Sequence, residues 1–577
     1  MKNNQAVQSF NTIRLLLLLV FIILAVALNA QTDITITAQG DAERKVPFTE
    51  RLILLPKVVD TSFNAYPVSY QLIPVKVELN LQPQTIQPVQ LTVLEPLQKL
   101  YKGYVKGGVG NFLTTYGDLY YSSTRSKQDA WSINMKHHSS QGGLKDLGFN
   151  GYSDNKIGVA YQYFKMRYSV EAKANYERNA LYYYGANPAN FSGANDSLNL
   201  SKDGTFQRFN IFGGNVKYQT HIIDSSKLNR NFEVAYRFMD DYKGVGEHYV
   251  KLSGEEMKFI EKEVYYLNYS LDYNYFKHPL FTSAEDRITN GFAERDNGIL
   301  NLNPNIRTHG DNWSVRVGLA IQSNVTTSTA KFHFYPDAEA DYRLFNDIFV
   351  PYVGIKGGLQ RNSFFTFTRE NPFVTSDLDL RNTNKVLDFY GGIRGSISSK
   401  VSFNVVAEVA KYRDFVLFVN DTENFYGNAF NVIYDTVTQT TFSAQTSYVN
   451  NEKLKIYLRG EYYLYSTVHQ PKAWNRPNYT VSLSGVYDLA DKILVRGDLF
   501  LVGDRYHYYN TAIFVNYPED FNLLKPFLDF NLGFEYRYTK RLSAFLNFNN
   551  ILAKKYQYWN NFPVQGINLL GGVTYRF

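Results

Sequence analysis

Residues whose types and spacing could do chemistry are thinly spread through this chain of 577 residues. No His-Glu-x-x-His, no Gly-x-Ser-x-Gly and no phosphate-cradling glycine loop occurs. His137 and His138 carry metal-ligating rings, but neighbours on a strand point to opposite faces and do not chelate together. The chain has no cysteine, which excludes disulfides, thiolate zinc sites, a cysteine nucleophile and an N-terminal lipidated Cys. Glu285, Asp286, Glu294 and Asp296 form an acidic set of the kind that holds Ca²⁺. Arg287 and Arg295 interleave with them and mark a solvated loop instead. No enzyme, metal site or cofactor is expected.

What the chain has in quantity is aromatic surface: 47 Tyr, 42 Phe and 4 Trp. Tyr182, Tyr183 and Tyr184, the Tyr506, Tyr508 and Tyr509 run, and Trp559 fall in long polar segments, where they are candidate loop contacts for a ligand. A second candidate set is charged. Arg459, Glu461, Arg496, Asp498, Asp529, Glu535, Arg537 and Arg576 alternate with apolar residues and would form a wall of mixed sign on one face. The net charge of +7 is dispersed, so no nucleic-acid partner is expected. Mean hydropathy is −0.32. That argues against a helical membrane protein and leaves open a barrel, whose strands are apolar only at alternate residues.

The elements that must position these side chains are strands. Residues 1–30 read as a cleavable signal peptide, with Arg14 before an apolar run from Leu15 to Leu28 and Ala30 at the cut. From residue 101 onward the period is two. In 528–538, Leu528, Phe530, Leu532, Phe534, Tyr536 and Tyr538 share one face, and Asp529, Glu535 and Arg537 the other. Short turns at Lys165–Met166, Asn346–Asp347, Ser398–Lys400, Asn450–Glu452, Ala490–Lys492 and Thr539–Arg541 alternate with long segments. Those long segments are 181–205, 277–296, 362–385, 416–437, 503–525 and 552–566. Tight turns on one side and long loops on the other are the asymmetry of an outer-membrane barrel. Keeping every short turn on one side requires residues 103–123 to hold two strands and 229–276 to hold three. The total is then about 22, at ~9–11 residues per crossing. The predicted fold is all-β: a transmembrane antiparallel β-barrel over 101–577, in lipid, with most aromatics in two interfacial girdles. Residues 31–100, rich in proline, read as a short extended periplasmic or lumenal segment.

The stretch Asn549-Asn550-Ile551-Leu552-Ala553-Lys554-Lys555-Tyr556, then Phe562-Pro563-Val564-Gln565-Gly566 and the terminal Phe577, resembles the final hairpin of TonB-dependent outer-membrane receptors. The resemblance implies solute uptake at the surface of a Gram-negative cell, with energy relayed by the periplasmic TonB protein. Asp33, Ile34, Thr35, Ile36 and Thr37 are similar to the short box through which such receptors pair with TonB, and pairing by strand addition needs only an extended tail. Residues 31–100 are about half of a full plug domain. The alternative function is therefore a scaffold or subunit of an outer-membrane complex that does not transport, its lumen closed by residues 31–100 or by another envelope protein.

Overall fold

A computed structural model describes residues 100–577 except 125, 146, 186–200, 223–226, 282–288, 327–328, 422–426, 452 and 509–522. Residues 1–99, on which the expected signal peptide, the proline-rich segment and the TonB-like box Asp33–Thr37 fall, lie outside the described residues. Twenty-two strands form one sheet in which every pairing is antiparallel. The sheet closes on itself: Gly103–Gly110 pairs with Thr114–Ser122 on one side and with the last strand, Asn568–Arg576, on the other. Closure leaves the main sheet without an edge, so the backbone of the wall is paired internally.

Alternation sets the two faces. Val105, Val109, Phe212, Val216, Phe332, Phe334, Phe442, Leu464 and Val573 point outward and are exposed, which gives the barrel a continuous apolar outer surface. Charged residues take the inner parity. At one end the turns are tight and use left-handed residues, such as Ala490 at φ 53° and Asp491 at φ 57°. At the other end lie the long connections, together with short ones at 111–113, 242–245 and 326–329. Both strand splits that parity requires are present: Gly103–Gly110 and Thr114–Ser122, then Asn229–Asp241, Gly246–Ile260 and Glu263–Phe281. Two expected loops are shorter than the sequence suggests. Residues 277–296 and 416–437 are largely strand, reaching Phe281, Asn420 and back from Thr289 and Phe430. Their polar composition comes from strands that continue past the apolar band, where both faces meet water or other loops.

The wall is therefore uneven. Val401–Asn420 and Phe430–Asn450 have 20 and 21 residues, whereas Gly103–Gly110 and Leu542–Asn549 have 8 each. At about 3.3 Å per residue the tall strands run ~70 Å and the low ones ~26 Å. The seam between first and last strands depends on glycine for close approach: a Cβ at Gly572 would sit 2.0 Å from the Gly107 carbonyl oxygen. We expect Gly572→Val to block closure of the sheet, read as loss of the compact, heat-modifiable band in gel electrophoresis. A folded Gly572→Val barrel would contradict the seam geometry.

Candidate functional site

The large connection at 361–382 does not project from the barrel. It folds inward and packs inside the outer mouth against the wall. Ser363 starts a seven-residue helix, Phe364–Glu370, through a capping box: its Oγ accepts from Thr366 N at 3.2 Å and its N donates to Thr366 Oγ1 at 2.9 Å. Phe364, Phe367, Val374 and Leu378 are fully or almost fully buried. They pack on wall residues that face inward, Phe209, Ile211, Met239, Phe276, Phe418 and Phe430. Phe364 sits 6.0 Å from Phe209 and 5.7 Å from Phe276 between ring centres, and Phe367 5.9 Å from Phe418. Each such burial stabilises the closed arrangement by about 1.5–3 kcal/mol.

Polar contacts fix the cap at both ends. Buried Glu247 accepts from Phe364 N at 2.6 Å and lies 3.5 Å from Arg237. Buried Asp241 accepts from Ser376 Oγ at 2.5 Å, Gln207 Nε2 at 3.0 Å and Val245 N at 2.8 Å. Arg361 reaches Asp272 at 3.4 Å, Arg369 pairs with Glu177, and Arg476 holds Glu370 at 2.6 Å. At the far end Asp379 pairs with Arg295 and with Arg381, and the Tyr434 hydroxyl donates to the Asp379 carbonyl at 2.6 Å. The cap also extends the sheet locally. Thr375 N donates to Phe430 O at 2.8 Å, and Phe430 N to Phe373 O at 2.9 Å. A third layer comes from the last outer loop, where Phe562 stacks on Phe373 at 3.7 Å. Arg505, buried, binds the carbonyls of Gln557 and Tyr558 and so ties the loop after Ile493–Val502 to that layer. Burial pulls its guanidinium down to about 10.

The sequence-derived aromatic contacts divide into two groups. Tyr183 is buried and donates to the Val374 carbonyl at 2.6 Å. Tyr184 donates to the Pro563 carbonyl at 3.1 Å, and burial raises its pKa. Trp559 is buried edge-on against Phe418 and Phe430. Tyr182 packs on Phe149 at 4.6 Å. These four rings build or flank the cap rather than stand free for a ligand. Tyr506 and Tyr508 are exposed, beneath Lys472 and beside Trp474 respectively; Tyr509 lies outside the described residues. The charged set lies on the parity opposite the exposed apolar residues. Arg459 pairs with Glu461 at 2.7 Å, Arg537 with Asp488 at 2.7 Å and Arg576 with Glu535 at 3.6 Å, while Asp529 accepts from the Tyr556 hydroxyl at 2.9 Å. Arg496 and Asp498 share the strand Ile493–Val502. His137 bonds Asn155 and His138 bonds Tyr152, on opposite faces. Among the described residues no cluster of three metal-ligating side chains occurs.

Comparison by structure adds the context. The chain is similar to FpvA of P. aeruginosa bound to a pyoverdine–iron complex, with a TM-score of 0.62, 10% identity, and 83% of this chain and 72% of that one covered. It is similar to the FrpB iron transporter from Neisseria meningitidis at a TM-score of 0.60 and 9% identity, covering 83% and 82%. The siderophore receptor PirA from Acinetobacter baumannii gives 0.60 and 11%, covering 83% and 81%. The barrel has the TonB-dependent receptor fold. By sequence, no protein-family model and no curated relative matches the chain. The TonB-dependent receptor likeness is thus one of architecture, carried by the wall.

Burial also perturbs the cap's own acid. Asp377 has its carboxyl raised by desolvation, and its Oδ1 is buried without a donor. A raised folded-state value means that the carboxyl favours the closed cap below about 3.9 and that this contribution is lost as pH rises through the folded value. We expect Asp377→Asn to slow hydrogen exchange of residues 361–382 at pH 7, with the gain vanishing below about pH 4. Unchanged exchange at pH 7 would contradict the assignment.

Proposed function

We propose that this barrel resides in the outer membrane of a Gram-negative cell, delivered by the signal peptide of residues 1–30, and that it binds and admits a solute without acting as an enzyme. The observation that carries this reading is the inward-folded loop 361–382. It closes the mouth of a wide cylinder through one segment whose release would open the lumen to the outside. The apolar outer surface suits lipid, and the mixed-sign inner wall suits a hydrated path. The similar structures include one bound to a pyoverdine–iron complex and an iron transporter, which favours uptake as the class. TonB is the expected energy partner, through Asp33, Ile34, Thr35, Ile36 and Thr37.

The scaffold reading has its own support. The cap is bonded at both ends and across its middle, as a permanent closure would be. The two readings differ in whether the cap ever leaves. Because the chain has no cysteine, Val374→Cys with Phe430→Cys makes a lock, since these two residues lie opposite each other in a backbone bridge between cap and wall. In planar bilayers the full-length double variant is expected to show opening events when reduced and none when oxidised. Silence in both states, with stoichiometric co-purification of other envelope proteins, would overturn uptake in favour of the scaffold.

A further inference from the structure

Between the cap and the low side of the wall lies a cavity of about 580 Å³, enough for one small organic molecule. Its lining is distinctive for what is left without a partner. Asp529 accepts the Tyr556 hydroxyl on Oδ2 at 2.9 Å, yet its Oδ1 is buried with no donor. Asn550, only 6% exposed, gives both amide hydrogens to the carbonyls of Lys554 and Gln565 at 2.8 Å each, and its Oδ1 also has no donor. The two residues are neighbours in space: Asn550 N donates to Asn531 Oδ1 at 2.8 Å, and Asn531 is one inward-facing step along the strand from Asp529.

Charge points the same way. Two carboxylates, Asp154 and Asp529, line the cavity. Arg369 is the only Lys or Arg among its described lining residues, and Glu177 already engages it. Phe209, Ile211 and Phe373 supply an apolar flank. A buried carboxylate oxygen and a buried amide oxygen, both lacking donors, are best satisfied by a group that brings several N–H donors and positive charge.

We propose that this cavity binds a small organic ammonium. The primary amine donates to Asp529 Oδ1 and Asn550 Oδ1, and its carbon body lies against the apolar flank. The inference rests on the reading of the barrel as a solute-binding protein, but its test is separate from conductance. Binding of 2-phenylethylamine, 2-phenylethanol and phenylacetate to the full chain in detergent micelles, measured by calorimetry, compares three probes that differ chiefly in their end group. We expect the amine to bind about tenfold or more tighter than the alcohol, and the acid not to bind. Asp529→Asn keeps an acceptor for Tyr556 and is expected to weaken the amine about tenfold and erase its advantage. Gly566 lines the cavity and a Cβ there meets nothing within 4 Å, so Gly566→Trp should fill the space and abolish amine binding. Heat-modifiable migration verifies that each variant is folded. Equal or tighter binding of the alcohol or acid, no binding of the amine, an unchanged amine affinity in Asp529→Asn, or amine binding retained in Gly566→Trp each overturns the site. Amine binding in a barrel that never conducts would leave the site standing and remove uptake.

Discussion

A cylinder of 22 strands is too wide for its own side chains to fill, and every other feature of this molecule answers to that constraint. A small barrel packs its interior and is stable as a solid. This one must either keep a wet lumen or place chain inside it. The answer at the outer mouth is loop 361–382, whose Phe364, Phe367, Val374 and Leu378 bring an apolar core to a place where the wall offers Phe209, Ile211, Met239 and Phe276. Removing water from those surfaces provides the driving force. Glu247 and Asp241 set the register of the loop within it, because a buried carboxylate is tolerated only where donors meet it.

The uneven height of the wall follows from the same arrangement. Tall strands are needed where the cap leans on them, and Val416, Phe418, Phe430 and Val432 lie on the extensions of two such strands. On the side of the Gly103–Gly110 and Leu542–Asn549 strands nothing tall is present, and the cap leaves a gap. The gap is bounded by strand ends, whose side chains alternate between polar and apolar, so it acquires amide and carboxylate groups from one parity and rings from the loops. Closure on one side and a cavity on the other are two consequences of one lopsided rim.

Much of the wall was legible in the sequence because period-two alternation is a local signal. Leu528 to Tyr538 announces its own two faces, and the side-to-side alternation of turns fixed the splits at 103–123 and 229–276. The cap was not legible, since its partners are distant in the chain, 55 residues away for Tyr434 with Asp379 and 192 for Glu177 with Arg369. One trace of it was present. In Phe206–Thr220, Phe209 and Ile211 are apolar on the inner parity while Phe212, Val216 and Tyr218 are apolar on the outer one. At Val416–Val419 four apolar residues run together. A barrel strand that is apolar on both faces beyond the membrane band has something dry packed inside it. In sequence Tyr183 and Trp559 look no different from Tyr506 and Tyr508, yet the first two are buried against the cap and the last two are exposed. Only the fold distinguishes a ring that anchors a loop from one that waits for a partner.

The central claim is that loop 361–382 lies inside the mouth and shuts it, and cysteine accessibility tests that most directly. Val374→Cys would sit at a fully buried cap position, whereas Leu113→Cys would occupy the tip of the low outer hairpin, where Leu113 is 76% exposed. With no native cysteine to interfere, intact cells expressing each variant can be treated with a membrane-impermeant maleimide. The account predicts rapid labelling at 113 and protection at 374 until the barrel is denatured. Equal labelling rates at the two positions in folded protein would contradict it.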